Sequence, residues 1–361
     1  MISEVAINNA IQKGLTFIQN NQLPNGEFLC DFVSSDTEVV DDLKAGQGIK
    51  VVQERETIFP NTLIGHALLG LRSSPQAEAI LDQISRYLLS HCNRFGLWKH
   101  YVGSQMLGRW IAYDLDNTAM TASLLDSLGS KQKIATKFFY SNRAKNGLFY
   151  TWITWRGQVH VGLEYYLALK REFRHPIGQY YFWKLMPCAK RDIDAVVNSN
   201  VLFYLGYNAQ TAPIAEWMVE IIQKSLETTC DKWYKRPIQI YYFFSKNFSK
   251  DIPKLEPLKA QLKEIILRHL TPQGRFFDSE LDTALAITAL CNASYGHEVP
   301  QRAVQYLLEQ QQADGSWQKW SINYGKPDRT VGFGSQVLTT SYVLEALNAY
   351  QSLGLSNSAR R

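Results

Sequence analysis

Apolar positions recur at helical spacing along this chain in two kinds of segment that alternate. In one kind they keep to a single face, as in KGLTFIQNNQ near one end and RAVQYLLEQQ near the other. In the other kind they lie nearly all round, as in NTLIGHALLGL, NTAMTASLLDSL, NSNVLFYLGY, DTALAITAL and TTSYVLEALNAY. A single apolar stripe predicts a half-solvated helix, and an apolar surface on every side predicts a walled-in one. Each half-solvated segment ends in a turn, mostly at a Gly that can cap a helix C-terminus, with an aromatic residue just beyond it.

The alternation is a repeat. Lys13–Phe28 and Arg302–Trp317 align without a gap: basic, small, two free positions, aromatic, aliphatic, three free, Gln, three free, Gly, one free, aromatic. Tyr87–Trp98, Phe138–Phe149 and Ile265–Phe276 keep the frame with Cys92, Arg143 and Leu270 in place of the Gln. Ile221–Trp233 fits with one extra residue and no Gly. Six outer–inner helix pairs predict an all-α fold, an (α/α)6 toroid, with residues 1–361 as one domain and the inner helix N-termini gathered at one mouth.

Composition removes several function classes. The 361 residues are 45% hydrophobic and 20% charged, as in an ordinary globular chain. A formal charge of +5 is too mild to predict a nucleic-acid partner. Five scattered cysteines (Cys30, Cys92, Cys188, Cys230 and Cys291) read as reduced thiols rather than a disulfide framework. The opening MISEVAINNAIQKGL has no basic segment leading into an apolar one, so the expected location is cytoplasmic. No HxxxH, HExxH, P-loop, GxSxG or GxGxxG spacing occurs, and neither a metal nor a redox cofactor is expected.

Acidic residues stand where inner helices begin: Asp114 and Asp116 in YDLDNTAM, Asp192 and Asp194 in KRDIDAVVN, and Asp278, Glu280 and Asp282 in DSELDTAL. Asp is a preferred N-cap, which alone would account for one residue at each place. Two sites offer Asp-x-Asp, however. Carboxyls that converge on an apolar pocket raise one another's pKa, which leaves an acid able to protonate an alkene. Aromatic faces would hold the resulting cation. The clusters FYTWITW, YYFWKL, FYLGY and YYFF supply Trp152, Trp155, Phe203, Tyr204, Tyr241 and Tyr242 as candidate walls, with Asp282 as a further contact.

The repeated frame resembles the QW motif of squalene/oxidosqualene cyclases and related class II terpene cyclases, a superfamily that includes prenyltransferase β subunits. The resemblance runs over essentially the whole chain and implies the toroid fold. Asp114-Leu115-Asp116-Asn117-Thr118-Ala119 is similar to the family's DxDD-Thr-Ala acid motif, with Asn117 in place of the last Asp; Asp192-Ile193-Asp194-Ala195 is similar with Ala195 there. The resemblance implies acid-initiated cyclisation or isomerisation of an isoprenoid. Asp116 and Asp194 are then the expected proton donors, Asp114 and Asp192 their partners. It implies a hydrophobic small-molecule partner, Mg²⁺ only if the substrate is a diphosphate, and contact with a membrane surface. A single toroid would close its cavity with a second copy, a helical partner subunit or the 28–59 loop. The close Asp-x-Cys pair of the zinc prenyltransferases is missing at Asp282 and Cys291. The alternative is a non-catalytic toroid that binds a lipid or a partner protein.

Overall fold

The computed structural model describes residues 2–44, 46, 48–103, 106–130, 136–156, 163–170, 175–186, 188–295 and 298–358. In chain order its α-helices are α1 (Glu4–Asn20), α2 (Phe59–Leu68), α3 (Pro75–Ser90), α4 (Met106–Trp110), α5 (Leu115–Ser127), α6 (Thr136–Ser141), α7 (Leu163–Leu169) and α8 (Pro176–Leu185). They continue with α9 (Ala195–Leu205), α10 (Ala212–Gln223), α11 (Pro237–Ser245), α12 (Glu256–Leu267), α13 (Glu280–Asn292), α14 (Gln301–Glu309) and α15 (Gln336–Ser358). Helices α2, α5, α9, α11, α13 and α15 touch one another in that order, and α15 touches α2, so the inner ring closes. Helices α1, α3, α10, α12 and α14 pack outside it.

The periodic segments fold as their polarity dictates. Every described residue of α13 from Glu280 to Cys291 is buried, whereas α14 buries only Ala303, Val304 and Leu307. The turn residues explain why the same frame recurs. Gln22 donates to Gly26 O, closing its own turn, and to Ile80 O on α3; Gln311 donates to Gly315 O and to Ala10 O on α1. Gly26 and Gly315 have φ of +88° and +92°, and a Cβ on either would lie 2.5 Å from the neighbouring helix's carbonyl oxygen. Only glycine serves there. Trp98 and Trp317 turn back to donate to Leu88 O and Leu307 O. The backbone N–H of five of the turn aromatics is then taken by an inner-helix side chain, Asn61 for Phe28, Thr118 for Trp98, Asn198 for Phe149, Thr283 for Phe276 and Thr340 for Trp317, whereas that of Trp233 goes to Asp231 of its own turn.

The all-α expectation needs correction. The 28–59 segment is not a plain loop. Its strands β1 (Cys30–Ser35) and β2 (Ile49–Glu54) join β5 (Asn323–Tyr324) and β6 (Val331–Gly334) in an antiparallel sheet of order β2-β1-β6-β5. Phe32 faces Val52 on one side and Phe333 on the other. Two long connections that lie over the toroid must satisfy their backbone groups, and pairing with each other does so. Val33, Val40, Leu43 and Ile49 give this cap a small core of its own. A second pairing, β3 (Tyr113–Asp114) with β4 (Trp152–Ile153), sits at the entry to α5. No helix among the described residues is long and apolar enough to cross a membrane.

Candidate active site

The N-terminus of α5 fixes the first acidic pair. Asp114 ends β3 in extended backbone and caps α5 by accepting from the Asn117 N–H at 2.7 Å. The Asn117 side-chain amide donates to both Asp114 oxygens at 3.0 Å. Asp116, in the first helical turn, accepts from Asn200 Nδ2 of α9 at 2.7 Å. Burial lifts the Asp114 carboxyl to about 8, helped by the Asp116 charge and opposed by the Asn117 donors. Burial also lifts Asp116 to about 6, opposed by Asn200 and helped by Asp194. The pair therefore keeps a proton close to neutral pH.

Both carboxyls line one narrow cavity of about 70 Å³. Phe59 from α2, Tyr101, Trp152 from β4, Phe182 from α8, Trp233, Tyr234 and Phe333 from β6 supply its aromatic wall. Trp152 meets Phe182, Trp183 and Trp233 edge-on at centroid distances of 5.7, 5.6 and 6.3 Å. The face of an aromatic ring attracts a cation by roughly 0.5–2 kcal/mol. The imidazole of His100 also lines the cavity; burial drives its pKa down to about 4, so it is neutral at physiological pH.

The second acidic pair is built differently. Asp194 occupies the N-cap position of α9 but makes no cap bond. It accepts instead from Thr151 Oγ1 at 2.5 Å and from the Lys232 N–H at 3.0 Å. Asp231, which the sequence reading passed over, reaches across to take the Val196 N–H of α9 at 2.9 Å. Burial and the charge of Asp231 push Asp194 well above the usual carboxyl range. Asp192 is buried and bonded to Lys232 Nζ at 2.6 Å and to the Ala189 N–H. Neither Asp192 nor Asp194 is part of the cavity wall, although Thr151, which donates to Asp194, is.

Of the candidate walls, only Trp152 lines the cavity. Trp155, on the far side of β4, is 53% exposed in an open basic groove with Lys190 and Arg191. Phe203 and Tyr204 lie at the other end of α9, against His66 and Phe139. Tyr241 bonds Glu227 and Tyr242 bonds Glu345. The YYFF run is wholly buried, because α11 is enclosed by ring neighbours and outer helix alike. Asp282 is ion-paired with Arg236 and is not a cavity contact. Arg329 pairs with Asp41. Among the described residues no group of three His, Cys, Asp or Glu side chains stands ready to hold a metal ion.

The wall residues absent from the sequence reading, Phe59, Tyr101 and Phe333, share no motif; they meet only through the ring and the sheet. Phe182 and Trp233 were visible only as part of an aromatic cluster and as repeat punctuation.

No family model matches the chain, and no curated protein matches it in sequence. Solved structures do match. A protein from Actinoplanes superposes with a TM-score of 0.66 at 16% identity, over 96% of this chain and 99% of that one. The type II terpene cyclase MstE from Scytonema superposes with a TM-score of 0.64 at 14% identity, over 97% and 99%. The ent-copalyl diphosphate synthase from Streptomyces platensis gives 0.56 at 14% identity, over 81% of this chain and 50% of that one. One structure of MstE holds geranylgeranyl dihydroxybenzoate, described as its substrate. At these identities the likeness shows the fold, which is a helical toroid of the terpene-cyclase type.

Proposed function

We propose that this toroid, acting as one domain, is a class II terpene cyclase-like enzyme that cyclises or isomerises an isoprenoid by protonating it. One observation carries the reading: an Asp114–Asp116 pair that retains a proton opens into a cavity walled by aromatic rings. Asp116 is the donor: at about 6 against about 8 for Asp114 it is the stronger acid of the two, and it acts from its protonated fraction. One of its oxygens is held by Asn200, whereas both Asp114 oxygens are occupied by Asn117. The Asp116 O–H bond breaks, its proton adds to a terminal alkene carbon, and the tertiary cation left behind draws the next double bond into a ring. Asp114 holds the second proton-binding position and keeps the pair from ionising fully. Trp152, Phe182 and Trp233 face the travelling charge without a nucleophile to trap it.

The likeness to MstE supports a prenylated substrate with a linear chain of this kind. A second reading, a toroid that holds a lipid or a partner without turning it over, draws on the narrowness of the cavity. Incubating the protein with linear polyprenols, polyprenyl diphosphates and geranylgeranyl dihydroxybenzoate separates the two. The cyclase reading expects cyclised products that vanish in Asp116→Asn. Tight binding of a probe that is recovered unchanged would leave the second reading standing.

A further inference from the structure

A carboxyl that the proton-donating step does not use stands behind the cavity wall. Glu54, the last residue of β2, is half-buried, and its Oε1 accepts from the phenol of Tyr101. Its Oε2 is buried with no hydrogen-bond partner among the described residues. A buried carboxyl oxygen left unbonded asks for an explanation, because satisfying such groups is the rule. Tyr101 supplies one. It is a wall of the same cavity as Asp116, held edge-on to His100 at 4.6 Å, and its hydroxyl donates to Glu54.

Resting on the cyclase reading, we propose that Tyr101 and Glu54 together take the proton whose loss ends the reaction. A C–H bond next to the final cationic carbon breaks, and its electron pair becomes the product double bond. That proton goes to Tyr101 Oη while the phenol's own proton passes to Glu54 Oε1. The phenol is restored, and Glu54 is left as a neutral acid that returns its proton to water. The relay removes a proton without setting a carboxylate against the cation, where it would be captured as an ester. Burial holds Glu54 up at about 7, so near neutral pH it both accepts and releases a proton. Tyr101 is the residue that touches substrate; Glu54 acts through it.

The test uses geranylgeranyl dihydroxybenzoate with the wild type and with Tyr101→Phe, Glu54→Gln and Asp116→Asn, with products resolved by mass spectrometry. Glu54→Gln keeps an oxygen for the Tyr101 bond and removes only the proton sink, and thermal melts confirm that each variant is folded. The expected result is a fall of about tenfold in the share of cyclised alkene in both Tyr101→Phe and Glu54→Gln. Cyclised alcohol from water capture rises to match, so the alkene-to-alcohol ratio, not total turnover, is the readout. An unchanged alkene share in either variant overturns the relay and leaves another wall group, such as His100, to take the proton. A wild type that makes only alcohols also overturns it. No consumption by the wild type overturns the cyclase reading itself, and this inference with it.

Discussion

The N-termini of α5 and α9 carry nearly the same letters, Asp-Leu-Asp-Asn and Asp-Ile-Asp-Ala, yet the structure gives them opposite tasks. At α5 the first Asp caps its own helix, which leaves the second turned to the cavity with a single amide donor. At α9 the cap comes from Asp231, on the later segment that leads into α11. Asp194, released from capping, is held in the interior by Thr151 and the Lys232 N–H. What decides between a carboxyl that lines the cavity and a buried strut is therefore which segment supplies the cap. The pattern Asp-x-Asp does not encode that choice.

The difference can be broken by substitution. Asp116→Asn should lower turnover of a cyclised probe by at least about 10³-fold, close to 4 kcal/mol of barrier, with an unchanged melting temperature. Asp194→Asn should stay within about tenfold of wild-type turnover, and the reverse outcome would exchange the two roles. Asp194→Ala should instead lower stability by about 2–4 kcal/mol in denaturant titration, since it strands the Thr151 hydroxyl and the Lys232 N–H in the interior.

The next effect is on pH. Asp114, at about 8, and Asp194, shifted the same way, bind protons more tightly folded than unfolded, where carboxyls sit near 3.9. Their contribution is full below about pH 4 and is lost as the pH climbs through about 8. Thermal melts should show stability falling over that window, less steeply in Asp114→Asn. The smallest effect belongs to Lys232→Met. Its side chain is 44% exposed, so losing the bond to Asp192 should cost no more than about 1 kcal/mol.

The ring was legible because its instructions are local. Gln22, Gly26 and Phe28 sit within one turn of chain, and each makes a contact that follows from its own chemistry. The sheet was not legible, because CDFVSS and VGFG are short and their pairing joins segments about 300 residues apart. The acid motif could be found, since both its aspartates lie on one helix start. Most of the aromatic wall could not. Trp152 and Trp155 are equally aromatic and three residues apart, and β4 sends one into the cavity and the other to solvent. Tyr241 and Tyr242 looked like cavity rings because aromatic density reports burial, and burial on α11 is reached without facing the cavity.

The bonds made by Gln22 and Gln311 are alike in kind and unlike in entropy. One joins outer helices 58 residues apart, whereas the other closes the circle across 301. Bringing the ends of the longer span together costs about 1.5 kcal/mol more in chain entropy, for the same pair of hydrogen bonds. The seam between α14 and α1 is thus the joint that costs most to close, and hydrogen exchange at Ala10 and Gln311 should show it opening before the joint between α1 and α3 does.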